Sequence, residues 1–429
     1  MNKPKFFGIL LFAYTLSLAF QDFIRLSDVM RKLQLPEILF LLMLVFFPYN
    51  YLRQYRFQRS DVYLLGSLGV YWLANVVSSV ASGQFSAVAE SVGRLYLIIL
   101  FGMATLYFSQ LTKEEIKQYT VKTSLALGIL LSSTAILGLV AQLCGFPNTL
   151  VGSSEDYPYL GNVYRVQGMT HTPAMLVSLL SFTIILSLTE GVKKREQWTN
   201  IAVFFMLIVA VLTLTRSVTF AFWGAFLLLI FKKWNFSKKI FLSTALAVTL
   251  FMTIGTHFIF ISKNNPALPN LYNSIFTSNK ILYQQGDYLV LETCYLSMKR
   301  SAIVIWQTNP IIGIGTGNFV EHNTYMQKIG VYPAKLPVYE AHSTYLGTLA
   351  ENGIFAAIAV IFLFWLLARQ IIRFGNVQND LFATALLLCL TSVFIEGIAL
   401  DTMNFRHYWL LFALVWAYAR KTGPLSITA

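Results

Sequence analysis

Along the chain, runs of predominantly apolar residues alternate with short polar breaks from Phe6 to Tyr418. A helix of about twenty such residues crosses a bilayer while satisfying its own backbone, so each run reads as a membrane span. About twelve are expected, near 6–24, 36–52, 62–81, 86–108, 121–145, 171–190, 199–215, 217–231, 240–261, 343–368, 381–400 and 407–420. The two flanking Arg216 are short and almost continuous, a pattern that also suits a re-entrant pair. Lys3 and Lys5 precede the first run, and Gln21 and Asp22 follow it with no small-residue cleavage site, so it reads as a retained span. Two polar stretches exceed turn length: 146–170, and 262–340 between spans nine and ten. Inside the second, the apolar spacing of Leu289, Leu291, Tyr295, Met298, Ala302, Ile305 and Trp306 predicts an amphipathic helix over 289–306. That helix either lies on the membrane surface or packs on the bundle. The expected fold is all-α: one polytopic transmembrane domain over 1–429, carrying the large external loop 262–340 and a smaller one at 146–170.

Composition narrows the picture. Of 429 residues, 56% are hydrophobic and only 12% charged, and the mean hydropathy is +0.61, which excludes a soluble enzyme. The 32 Lys and Arg against 19 Asp and Glu would suit nucleic acid, but the cations cluster between apolar runs. Nineteen of them fall in alternate gaps, for example Arg53, Arg56 and Arg59, or Lys193, Lys194 and Arg195. Alternation of that kind sets orientation and puts both termini in the cytoplasm, so no nucleic-acid partner is expected. Cys144, Cys294 and Cys389 have neither metal nor redox spacing.

Ionisable residues near membrane depth are costly and therefore informative. Arg216, in Leu214-Thr215-Arg216-Ser217, has a fork of donors suited to phosphate oxygens, or it reaches lipid headgroups. Arg94 has Glu90 one turn earlier and reads as half of an intrahelical pair. The densest polar patch is Glu340-Ala341-His342-Ser343-Thr344-Tyr345, followed by Glu351-Asn352-Gly353. If helical, it puts His342, Tyr345 and Leu349 on one face, with His342 where the long loop re-enters the membrane. An imidazole there accepts a proton from a hydroxyl, hydrogen-bonds a phosphate, or simply caps the helix at the interface. Glu351, two turns into a span, requires a partner. Upstream, Asn309-Pro310-Ile311-Ile312-Gly313-Ile314-Gly315-Thr316-Gly317-Asn318-Phe319 reads as a structural turn, since it lacks the lysine of a phosphate loop. Glu155 and Asp156 are adjacent external acids that read as a solvated loop.

Four patches in chain order resemble the bacterial O-antigen ligase and O-antigen polymerase superfamily: Arg165-Val166-Gln167-Gly168 with Pro173; Thr215-Arg216-Ser217; Asn309-Pro310 with Gly313, Gly315 and Phe319; and His342-Ser343 with Leu346, Glu351 and Gly353. The resemblance spans roughly residues 160–365; Ser217 and Ser343 stand where glycine and asparagine are frequent. It implies an integral-membrane glycosyltransferase of the bacterial inner membrane, working on its external face. The donor would be an undecaprenyl-diphosphate-linked glycan and the acceptor a saccharide, lipid A-core in a ligase. By the same resemblance Arg216 and Arg165 would hold the diphosphate, with Arg300 as a further ligand. His342 would activate or position the acceptor hydroxyl, and Glu351 would orient it or cap its neighbours. Preorganised cations stabilise a leaving diphosphate, so metal independence and no cofactor are expected. Direct attack inverts the anomeric centre, and no paired carboxylates suggest a two-step route. A polymerase using a second lipid-linked repeat as acceptor shares this chemistry. Oligosaccharide transfer to protein shares the donor, and a polysaccharide or lipid transporter is the rival from another class.

Overall fold

The computed structural model of the protein describes residues 3–20, 34–157, 161–190, 196–215, 257–266, 268–273 and 277–421. Its helices are α1 (Lys3–Ser17), α2 (Leu35–Val45), the short α3 (Asn50–Gln54), α4 (Arg59–Ala81), α5 (Phe85–Phe108) and α6 (Lys113–Leu143). The hairpin β1 (Val151–Tyr157) and β2 (Gly161–Val166) leads into α7 (Pro173–Ser187) and α8 (Glu196–Leu212). Then come β3 (Phe258–Ser262), α9 (Leu268–Asn273), β4 (Thr277–Gln285), β5 (Tyr288–Thr293), α10 (Cys294–Thr308) and α11 (Phe319–Lys328). The chain continues through α12 (Thr344–Phe374), α13 (Leu381–Glu396) and α14 (Arg406–Arg420).

Among the described residues, α4, α5, α6 and α12 are long and apolar enough to cross a membrane, and α1, α2, α7, α8 and α13 are apolar but shorter. Val62, Leu65, Leu73 and Val77 of α4, and Phe355, Ile358, Ile361 and Trp365 of α12, are exposed. Apolar surface on that scale is compatible with lipid rather than water. Of the expected spans, 217–231 and most of 240–261 lie outside the described residues, and the end of the latter is not helical, because Phe258–Ser262 form β3. The expected span 36–52 is broken after Val45, where Pro48 cannot continue the hydrogen-bond ladder.

Local signals fix several starts. Thr112 and Glu115 cap α6 reciprocally: the Glu115 N–H donates to Thr112 Oγ1 (3.3 Å) and the Thr112 N–H to Glu115 Oε2 (2.7 Å). Inside the bundle, Trp409, Phe412 and Trp416 of α14 are fully buried where it packs on α5, α12 and α13. Their indoles are satisfied, Trp409 by Met403 O (3.0 Å) and Trp416 by Asp61 Oδ1 (2.9 Å).

The two loops correct the all-α expectation. A two-stranded antiparallel hairpin occupies 151–166, and a three-stranded antiparallel sheet of order β3-β5-β4 opens the large loop. Ile261, Leu271, Leu289 and Leu291 form its small core. The helix expected over 289–306 is a strand to Thr293 and a helix only from Cys294. Its apolar face is buried against protein: Met298 and Ile305 pack with Phe319, Met326 and Tyr332. Burial of each such side chain contributes about 1.5–3 kcal/mol in a water-exposed region.

The turn 309–317 is built into α12. Gly353 (φ 76°, ψ −177°) interrupts that helix, so the backbone groups around it need outside partners. The turn supplies them: the Ile314 N–H donates to Ala350 O (3.1 Å), Gly315 to Glu351 O (2.9 Å), and the Ile354 N–H donates to Pro310 O (3.1 Å). From α4, Ser78 Oγ donates to Glu351 O (2.5 Å) and accepts from the Gly315 N–H (2.9 Å). Thr316 Oγ1 donates to Asn352 Oδ1 (2.6 Å), and Ser79 Oγ donates to Thr316 Oγ1 (3.1 Å).

Candidate active site

His342 precedes α12 and is not on its face. Ser343 is the N-cap, its Oγ accepting the Leu346 N–H (3.4 Å), and His342 has a left-handed backbone (φ 44°). The expected shared face with Tyr345 and Leu349 is therefore not formed. Side chains with a β-carbon rarely adopt this conformation, and histidine is among those that do so more readily. The conformation turns the chain from the loop into the helix. Tyr295 of α10 and Tyr339 flank the imidazole edge-to-face, with centroids at 5.6 and 6.1 Å. Among the described residues, none hydrogen-bonds the ring nitrogens of His342.

The imidazole opens on a cavity of about 110 Å³. Glu90 and Arg94 of α5, Gly317 of the turn, Glu340, Glu351, Asp401 and Asn404 also line it. Arg94 is buried and its Nη2 lies 3.3 Å from Asp401 Oδ2. The expected role of Arg94 as half of an intrahelical pair omits this long-range partner, 307 residues away in sequence. Asp401 is held in place by the Met403 N–H (3.2 Å) and by Asn404. Its turn is stitched to the start of α12, where the Thr344 N–H donates to Gly397 O (2.8 Å) and Leu400 O (2.9 Å), and Thr344 Oγ1 accepts from the Thr402 N–H (2.7 Å). The half-buried Glu351 has the partner it needs: its Oε1 accepts the Phe319 N–H (3.2 Å) at the start of α11.

Burial, and next the charge of Lys299, push His342 down to about 4 from the usual 6.5, leaving it neutral with a lone pair at pH 7. Lys299 is itself buried on α10 and pushed down to about 8; its Nζ is hydrogen-bonded to His257 Nε2. The fold thus favours neutral His342, so between pH 6.5 and 4 the unfolded chain takes up a proton that the folded one does not. This contribution to stability is full above about 6.5 and falls as the pH drops towards 4. Thermal midpoints measured across that window should fall less steeply in His342→Asn than in the wild type. Lys299→Met should raise the pKa of His342, read as an upward move of the acid limb in any pH–rate profile that His342 controls.

Arg165 and Arg300 lie apart from the cavity lining. Arg165 donates from Nε to Thr213 O (3.1 Å) and from Nη2 to Thr215 Oγ1 (3.0 Å), holding the segment that leads to position 216. Arg216 itself lies outside the described residues. Gly168 belongs to packing: with φ 57°, a β-carbon there would come 2.9 Å from Thr134 Oγ1 of α6. Arg300 points the other way from its neighbour Lys299, pairing with the buried Glu292 (3.2 Å) while its own side chain is 41% exposed. The residues not selected from sequence are Glu90, Arg94, Lys299, Asp401 and Asn404. Side-of-membrane bookkeeping carries a signal for most of them, since 82–94 and 401–404 fall on the same expected face as His342. Among the described residues, no group of three or more His, Cys, Asp or Glu is arranged to hold a metal ion.

A mostly helical membrane protein with a polar cavity at the junction of a long loop and a helix start is the class these features define. Residues 201–361, from α8 through the loop and His342 into α12, match the family model described as O-Antigen ligase. The resemblance to the O-antigen ligase and polymerase superfamily therefore holds over that stretch. No curated protein matches the chain.

Proposed function

We propose that the protein is a glycosyltransferase of the ligase type, moving a glycan from undecaprenyl diphosphate to a saccharide acceptor such as lipid A-core. The observation carrying this reading is the His342 imidazole on a polar cavity, its ring nitrogens without a hydrogen bond among the described residues, within the stretch that matches the ligase family. In the reaction the acceptor hydroxyl attacks the anomeric carbon and the bond from that carbon to the diphosphate oxygen breaks. The hydroxyl proton passes to His342, and the electron pair leaves with undecaprenyl diphosphate. A base as weak as His342 takes the proton late, once the attacking oxygen has become acidic. Arg216, with Arg165 bracing the residues before it, is the proposed electrostatic partner of the diphosphate. Both termini are proposed to be cytoplasmic and the cavity to face the external side of the inner membrane. About twelve spans, an even number, are part of the same proposal.

The test is purified protein with a defined undecaprenyl-diphosphate glycan and candidate acceptors in chelator, with products read by mass spectrometry, for the wild type and Arg216→Ala. Acceptor-dependent glycan transfer, lost in a folded Arg216→Ala protein, is expected. Joining of two lipid-linked repeats would identify a polymerase, and a peptide-bound product a protein oligosaccharyltransferase. Absence of any product together with donor movement across liposomes would replace the enzyme with a transporter.

A further inference from the structure

The cavity beside His342 has a charge pattern that a diphosphate does not suit. Among the described residues, the carboxyl groups of Glu90, Glu340, Glu351 and Asp401 line it together with one guanidinium, in a chain whose formal net charge is +13. Arg94 is only 6% exposed, yet a single N–H, from Nη2, reaches a carboxylate at 3.3 Å. That is longer than the usual charge-assisted bond of about 2.7–2.9 Å. Its Nε and Nη1 are buried and have no hydrogen-bond partner among the described residues. A buried donor left unpaired costs about 1–3 kcal/mol, a cost that a bound acceptor atom removes.

Three ligand chemistries can be weighed against that lining. A phosphate accepts from Arg94 but finds acidic side chains around most of the described lining, so repulsion opposes it. An amine suits the carboxylates and brings no acceptor for the guanidinium. A polyol brings both: its hydroxyls donate to carboxylates, which have several lone-pair sites each, and its oxygens accept from Arg94. We infer that this cavity is a saccharide subsite in which Glu90, Arg94 and Asp401 recognise the hydroxyls of the acceptor sugar beside His342. This assignment rests on the transferase reading for the word acceptor, and on the lining alone for the word saccharide. Glu90 and Arg94 sit one turn apart on α5 and Asp401 comes from the turn before α14, so the three reach the cavity from two independent elements.

The probes are free neutral monosaccharides, D-glucose, D-galactose and N-acetyl-D-glucosamine, and inorganic diphosphate, offered to the full-length protein in detergent and read by saturation-transfer NMR. At least one sugar is expected to bind, and inorganic diphosphate not to displace it. Glu90→Gln and Arg94→Gln should each weaken that sugar about tenfold, the loss of one charge-assisted hydrogen bond. Glu90→Gln keeps the shape of a partly exposed side chain, so it reports even where Arg94→Gln does not fold. Under turnover the same variants should raise KM for the acceptor and leave KM for the donor unchanged. No binding of any sugar, unchanged binding in the folded variants, or displacement by diphosphate would each overturn the assignment. Sugar binding that depends on Glu90, with no transfer to any acceptor, would instead overturn the transferase reading and leave the saccharide subsite standing.

Discussion

His342→Asn is expected to abolish transfer while leaving the protein folded. The argument has two parts. Removing a positioned proton acceptor costs about 10²–10⁴ in rate, and among the described residues no hydrogen bond depends on the imidazole nitrogens. The backbone at this position is left-handed (φ 44°), and asparagine occupies that region more readily than alanine does. His342→Asn therefore separates chemistry from folding more cleanly than His342→Ala. The measurement is turnover with saturating donor and acceptor, alongside a thermal midpoint for each protein. A folded His342→Asn protein that transfers at the wild-type rate would remove His342 from the reaction.

Gly353→Ala is expected to be the most damaging single methyl in the described structure. A β-carbon there would stand 2.0 Å from Ile311 O and 2.5 Å from the Ile311 carbonyl carbon, at φ 76°. Gly313 is its mirror on the other strand of contact: a β-carbon would lie 2.3 Å from Glu351 O, at φ 83°. Both clashes are with backbone, Glu351 O itself hydrogen-bonded and Ile311 flanked by the bonded Pro310 carbonyl, so neither relaxes by a rotamer change. Left-handed strain of about 1–2 kcal/mol and overpacking of about 1–3 kcal/mol together predict a loss of roughly 2–5 kcal/mol for either variant. Gly102→Ala is the control, since nothing lies within 4 Å of the added carbon. Thermal unfolding in detergent should show the two turn variants well below the wild type and Gly102→Ala beside it. Equal midpoints for all four would show that the turn does not hold α12.

The long spans were legible because length and apolarity are local properties. The expected 62–81 and 86–108 appear as Arg59–Ala81 and Phe85–Phe108, each starting slightly earlier and ending where expected. The strands were hidden for a physical reason: β4 carries Lys280, Gln284 and Gln285 and is exposed along most of its length, so it has no alternation to read. Leu289 and Leu291 fit a two-residue period and a helical one equally, which merged β5 with α10. In the site, His342 and Glu351 lie inside a compact motif and were found. The need of Glu351 for a partner was also legible, although not that Phe319 would provide it. Arg94 and Asp401 belong to different ends of the chain, and only the packing of α5 beside α14 and the turn before it makes them neighbours.

That separation has a consequence for biogenesis. Helices of a membrane protein enter the bilayer in order as the chain is synthesised, and the cavity takes its lining from residues as far apart as Glu90 and Asn404. A nascent chain halted after α12 would already own His342, the glycine turn and Arg94, but not the carboxylate that meets Arg94 nor the peptide segment that anchors Thr344. Such a chain carries His342 without a finished chamber around it. The cavity is therefore completed late, by the insertion of one short polar turn that supplies the last of its lining.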